Sequence, residues 1–272
     1  MTIKLAIGAP SALLSELCPL GAIELCFAHL MRGDANAYES YYRQARTSGR
    51  FVILDNGIME SGVAASLDEM LYAMAELQPT LVTPPEVLHD GPETLRLATA
   101  FAACLSQLAR PMDTKLLAAA HGETFDEWCR CFEGLLALPA VTRIGIPYDV
   151  RFDVTTRTAL YDQALERLVT RRIELCEWVA RTHPYASLHL FGLAHPSELQ
   201  AQRCHAFIAS LDTSLPVMAA TRGIRYEAGD FGPYVKYFLD LALPYDDRTV
   251  RLAQSNIRVM TEFWLSPPGV QQ

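Results

Sequence analysis

Three carboxylates stand where short apolar runs end. Asp55 closes the run Phe51–Gly57, Glu86 follows Pro84 and Pro85, and Asp212 closes the run Ala206–Ser214. Carboxylates grouped at one place have three uses. With histidines such as His29 and His121 they can ligate a metal ion. One can attack an anomeric carbon and form a covalent glycosyl–enzyme while a second handles the proton. One can accept hydrogen bonds from a base edge that presents N–H donors, such as the N1 and N2 side of guanine. Gathering like charges costs electrostatic energy unless a ligand or hydrogen bonds offset it, so stability alone does not select the arrangement.

The elements that would gather them are legible as a repeated pattern. Eight apolar runs recur: Ile3–Ala9, Glu24–Leu30, Phe51–Gly57, Leu81–Leu88, Lys115–Gly122, Thr142–Pro147, Ser187–Leu193 and Ala206–Ser214. Between them lie helical patterns over Ala35–Ser48, Ser66–Leu77, Pro92–Leu108, Thr124–Leu136, Thr158–Arg181 and Ser197–Arg203. Ser66-Leu67-Asp68-Glu69 and Thr124-Phe125-Asp126-Glu127 each spell a capping box. Near-continuous apolar strands alternating with helices predict a parallel sheet covered by helices. Eight units predict a (β/α)8 TIM barrel, one domain over residues 1–265, with additional C-terminal helices over Asp230–Leu243 and Asp246–Phe263 and a flexible tail at 266–272. A doubly wound sheet is the competitor, but no G-x-G-x-x-G follows the first strand. In a barrel the C-terminal strand ends form one mouth, so Asp55, Glu86 and Asp212 are expected to converge there.

Composition bounds the partners. The 272 residues are 50% hydrophobic and carry 23 basic against 31 acidic side chains, a formal net charge of −8. That argues against a coat protein for nucleic acid while leaving room for a local basic patch. No apolar stretch approaches the ~20 residues of a membrane span. The seven scattered cysteines form no disulfide framework or zinc motif, and the N-terminus reads as strand and turn, so a reduced, cytoplasmic protein is expected. Trp128, Trp178 and Trp264 lie in helical patterns and read as packing residues.

The strand-end sequences resemble the guanine transglycosylases of tRNA and DNA. "FVILDNG" is similar to that superfamily's Asp-Ser-Gly-Gly-Phe-Gln segment, "TPPEVLHD" to Ser-Asp-Ile-x-Met-x-x-Asp, and "AAHG" to Val-Gln-Gly. "IGIPYD" resembles Gly-Gly-Leu-Ala-Val-Gly-Glu, "LHLFGLAHPSEL" resembles Tyr-Leu-Met-Gly-Val-Gly-x-Pro-x-Asp-Leu, and "SLDTSLP" resembles Phe-Asp-Cys-Val-x-Pro. The six segments fall in the family's order over residues 51–216. The family's zinc motif is missing, which makes the chain look more like the DpdA-type branch that inserts a 7-deazaguanine into DNA.

The resemblance implies that Asp212 is the nucleophile and Asp55 the proton carrier. It implies that Glu86 reads the N1 and N2 edge of guanine, that Phe191 beside Gly192 stacks on the base, and that Asn56, His121 and the backbone at Gly145 and Ile146 complete the pocket. Arg222 and Arg225 are candidates to hold flanking phosphates. Neither metal nor redox cofactor is expected. The partners implied are nucleic acid (DNA favoured, tRNA possible) and a free 7-deazaguanine base, with a homodimer or a partner subunit to grip the polymer. Two alternatives stand beside this: a nucleoside or nucleotide N-glycosyl hydrolase or transferase using the same aspartates, and a non-catalytic subunit that binds a 7-deazapurine.

Overall fold

A computed structural model describes residues 3–31, 36–107, 113–152, 161–202, 204–227, 229–233 and 245–265. Eight strands form one parallel sheet: β1 Lys4–Ile7, β2 Glu24–Phe27, β3 Val52–Asp55, β4 Leu81–Val82, β5 Lys115–Ala119, β6 Val141–Pro147, β7 Leu188–Phe191 and β8 Ile208–Thr213. Hydrogen-bonded neighbours run β1-β8-β7-β6-β5-β4-β3-β2. The remaining seam, between β1 and β2, carries one parallel bridge from Ala6 to Ile23, with the Leu5 carbonyl accepting from the N–H groups of Ala22 and Ile23. The sheet is therefore a nearly closed (β/α)8 TIM barrel.

The helices among the described residues are α1 Leu14–Leu17, α2 Ala37–Thr47, α3 Ile58–Ser61, α4 Leu67–Leu77, α5 Gly91–Ser106, α6 Phe125–Leu136, α7 Tyr161–Thr182, α8 Glu198–Gln202, α9 Leu215–Thr221 and α10 Asp247–Leu265. The capping box of α4 forms as expected: Ser66 Oγ accepts from the Glu69 N–H, and the Glu69 carboxylate accepts from the Ser66 N–H. In α6 only half of it forms. Thr124 Oγ1 accepts from the Glu127 N–H, but Glu127 reaches back to the Glu123 N–H instead of to Thr124.

Every strand except β6 is shorter than its apolar run, and two of them show why. β4 stops at Val82 because Pro84 and Pro85 have no N–H to give a ladder. β2 stops at Phe27, and a single 3-10 turn, Ala28–Leu30, carries His29. The helical pattern from Asp230 begins instead as an antiparallel bridge between Glu227 and Asp230. Residues 234–244 and the tail 266–272 lie outside the described residues.

Side chains alternate across each strand and so divide the core in two. Ala6, Ile23, Leu25, Ile53, Leu81 and Leu117 fill the barrel interior, with Phe27, Phe51 and Phe191 packed against them. A larger apolar layer, including Leu54, Val82, Leu116, Ile144, Leu190 and Leu211, lies between the sheet and the helices. This double burial is why the strands read as continuous apolar runs. Among the described residues no helix is long and apolar enough to cross a membrane.

Candidate active site

Register brings the strand-end residues to one level. Asp212 pairs with Ala6 across β8 and β1, Asp55 with Phe27 across β3 and β2, and Phe191 with Pro147 across β7 and β6. Asp212 sits with its side chain 15% exposed. Its Oδ1 accepts from the Gly192 N–H at 3.0 Å and pairs with His189 Nε2 at 3.1 Å. Oδ2 makes no hydrogen bond among the described residues. Gly192 has φ +59°, in the left-handed region that a side chain would strain, and this turn aims its N–H at the carboxylate.

Asp55 is anchored in the same half-and-half way. Its Oδ1 accepts from the Gly57 N–H at 2.7 Å, and Oδ2 has no partner among the described residues. Burial first, then the negative charges of Glu60, Glu86 and Asp212, pushes the Asp55 carboxyl well above the usual carboxylate range. The neutral acid is thereby favoured. Asp55 and Asp212 stand at the C-terminal ends of β3 and β8, and Glu86 follows β4, so in this parallel barrel all three lie toward the same mouth. Gly57 is required twice over. Its φ is +71°, and a Cβ there would lie 2.1 Å from His29 Nδ1.

Glu86 follows the pattern. Its Oε2 pairs with His121 Nε2 at 3.1 Å, and His121 Nδ1 accepts from the His89 N–H at 3.4 Å. Nδ1 being an acceptor, Nε2 carries the proton and donates it to Glu86. Oε1 is left without a hydrogen bond among the described residues. His121 therefore backs Glu86 and is itself buried.

The Phe191 ring is half-buried and lies on Gly145: a Cβ at 145 would meet Phe191 Cε2 at 2.2 Å. Its other close neighbour is the His189 ring, edge-on at 4.6 Å between centroids.

Two expected base contacts are already engaged within the protein. Asn56 is fully buried; its amide donates to the Pro84 carbonyl at 2.7 Å and accepts from the Ile58 N–H at 3.0 Å, so both ends are spent tying the loops after β3 and β4. Ile146 packs in the layer between sheet and helices, and its carbonyl accepts from Arg172 Nη1 at 3.2 Å. Arg222 and Arg225 are exposed, but they follow the far end of α9, a helix about 10 Å long at 1.5 Å per residue, and not the strand ends. Trp128 is buried, and it packs edge-on to Trp178 with centroids 5.7 Å apart.

The sequence reading missed what supports Asp212. His189 is fully buried, and its Nδ1 lies 2.7 Å from Ser210 Oγ. Ser210 Oγ accepts from Arg143 Nη1 at 2.8 Å. Burial lowers the His189 pKa, against the pull of Asp212. On the other side of β7, Arg172 and Glu198 form an ion pair with both side chains fully buried. Arg172 spends all five of its N–H donors: two on Glu198 and three on the carbonyls of Ile146, Phe191 and Gly192. It thereby fixes the turn that holds Asp212. The signal was present in the period-two pairs Arg143/Gly145, His189/Phe191 and Ser210/Asp212, which mark one inward face of three neighbouring strands.

Among the described residues no group of three or more His, Cys, Asp or Glu side chains is arranged to hold a metal ion. Cys129 and Cys131, two residues apart in the sequence, are both pushed up to about 11 by burial. Fold and site together define a (β/α)8 barrel with three half-anchored carboxylates at its C-terminal mouth. No family model matches the chain, and no curated protein does. Among solved structures it is similar to a crystal structure described as an engineered protein, a structural genomics target. The TM-score is 0.48 and the identity 10%, over 78% of this chain and 63% of that one. A likeness that slight carries no functional argument, and the chain spans less than two thirds of that structure's length.

Proposed function

We propose that the protein is a guanine transglycosylase: it exchanges guanine in nucleic acid, DNA in preference to tRNA, for a 7-deazaguanine base through a glycosyl–Asp212 intermediate. The observation that carries this reading is the shared state of Asp55, Glu86 and Asp212. Each has one oxygen anchored and one without a hydrogen bond among the described residues. Carboxylates serving only as caps or loop anchors have no need to gather at one mouth and hold an oxygen apiece in reserve.

The mechanism divides the work among them. The target guanine turns out of its stack into the mouth, against Phe191, and Glu86 Oε1 accepts from its N1–H and N2 amine. Asp212 Oδ2 attacks C1′. The C1′–N9 bond breaks, its electron pair leaves with the purine, and Asp55 as the neutral acid supplies the proton. The incoming 7-deazaguanine then loses its N9 proton to the Asp55 carboxylate, and N9 displaces Asp212 from C1′. The raised pKa of Asp55 suits it to begin the cycle as the acid. Kinetics are ping-pong.

The charge balance favours a second reading. With a net charge of −8, and Arg222 and Arg225 set away from the strand ends, a nucleoside or nucleotide fits the mouth without a basic track for polymer. Labelled guanine offered with DNA, tRNA and free guanosine separates the two. Exchange into DNA alone is expected. Exchange into guanosine alone moves the substrate to the small molecule. Base binding with no exchange into any of the three contradicts an enzyme.

A further inference from the structure

Beneath Asp212 runs a line of polar side chains that a barrel interior does not need. Arg143, Ser210 and His189 take inward positions on β6, β8 and β7, where such interiors ordinarily hold Val, Ile or Leu. Burying them costs desolvation that the apolar positions opposite, such as Ile23, Ile53 and Leu81, avoid.

Only the first bond of the line has its direction forced, and it leaves the next one open to a single arrangement in which every group is satisfied. Arginine has only donors, so Ser210 Oγ accepts from Arg143 Nη1 at 2.8 Å and turns its own hydrogen elsewhere. His189 Nδ1, 2.7 Å away, is placed to receive it. With Nδ1 accepting, the ring proton sits on Nε2 and is donated to Asp212 Oδ1 at 3.1 Å. The Gly192 N–H reaches the same oxygen.

We propose that His189 is the positioning residue of Asp212: Ser210 and Arg143 hold it as the Nε2–H tautomer, and in that state it pins Oδ1 and leaves Oδ2 facing the mouth as the attacking oxygen. This rests on reading Asp212 as the nucleophile. The charged groups acting on the ring are Asp212, Arg143 and Arg172. The two guanidiniums and burial oppose a second ring proton, and Asp212 favours one. A neutral ring orients the carboxylate without cancelling its charge, whereas a cationic ring would pair with it and dull its attack.

Two measurements on the full chain test this. The first is NMR of protein labelled with nitrogen-15 histidine between pH 5 and 8, with His189 assigned by its loss in His189→Gln. One protonated and one unprotonated ring nitrogen, unchanged across the range, are expected, and Ser210→Ala should give mixed tautomers. A doubly protonated ring at pH 7, or a tautomer indifferent to Ser210→Ala, overturns the proposal. The second is the single-turnover rate at which guanine-containing DNA becomes bonded to the protein. His189→Ala should slow it roughly 10- to 100-fold, the scale of one hydrogen bond to a charged group, without shifting the half-saturating DNA concentration. His189→Gln, which restores an N–H toward the same oxygen, should recover most of the rate. Equal rates in wild type and His189→Ala overturn it. If the wild type forms no adduct, the transglycosylase reading fails, and the NMR result alone decides the role of His189.

Discussion

The two sides of the barrel mouth hold their carboxylates by different means. On the β6–β7–β8 side, Asp212 rests on side chains: buried His189 and Ser210 and half-buried Arg143 beneath it, and the Arg172–Glu198 pair behind the Gly192 turn. On the β3–β4–β5 side, Asp55 leans on one backbone N–H and on burial, and Glu86 on one histidine. The first arrangement fixes a carboxylate in direction, as attack from one oxygen requires. The second favours a proton on Asp55, which an acid needs. Two aspartates of one sequence thus meet different surroundings, and the proposed division of roles rests on that difference.

The contrast breaks most severely at Arg172. Removing this side chain strands Glu198 as an uncompensated buried charge and frees three carbonyls. Arg172→Ala should cost about 3–5 kcal/mol in denaturant unfolding, the scale for halving a buried ion pair. A loss under about 1 kcal/mol, the range of an exposed pair, would show that the β7 turn does not depend on it.

Gly145→Ala probes the floor of the same side. A Cβ there overlaps the Phe191 ring, so either the ring or β6 must move. The expected cost is about 1–3 kcal/mol of stability, that of overpacking a core. Weakened purine binding, read by calorimetry, should accompany it. Unchanged binding would detach Phe191 from the base pocket.

Asp55 sharpens the comparison through pH. Its folded pKa lies above the unfolded one, so the native state holds the extra proton between the two values. Its contribution to stability is complete below about pH 4, the unfolded carboxyl value, and is lost as pH rises through the folded value. Unfolding midpoints of the wild type should fall with rising pH in that window, by at most about 1.4 kcal/mol per pH unit. Asp55→Asn should flatten the slope. A slope that survives the substitution places the raised proton elsewhere.

The eight strands and the three mouth carboxylates were legible in the sequence because each strand is buried on both faces and ends in punctuation: Asp55-Asn56-Gly57, Pro84-Pro85-Glu86, Asp212-Thr213-Ser214. The strand ends themselves were less so, since Pro84 and Pro85 withhold ladder donors at a point where the apolar run continues. The support for Asp212 was hidden by the same apolar reading. His189 and Ser210 each stand alone among apolar neighbours, and only three strands laid side by side turn Arg143, Ser210 and His189 into a line. Asn56 and Ile146 were misplaced for the converse reason. Their strand-end positions suggested the mouth, but Asn56 is claimed by the Pro84 carbonyl and the Ile58 N–H, and the Ile146 carbonyl is claimed by Arg172.

The proposed mechanism turns on a covalent bond between Asp212 and sugar. Protein incubated with guanine-containing DNA, quenched by denaturation, digested and mapped by mass spectrometry tests it most directly. A glycosyl mass is expected on the peptide containing Asp212, absent in Asp212→Ala and discharged when a fresh base is supplied before the quench. Base exchange that proceeds with Asp212→Ala, or an adduct mapped to any other side chain, would contradict it.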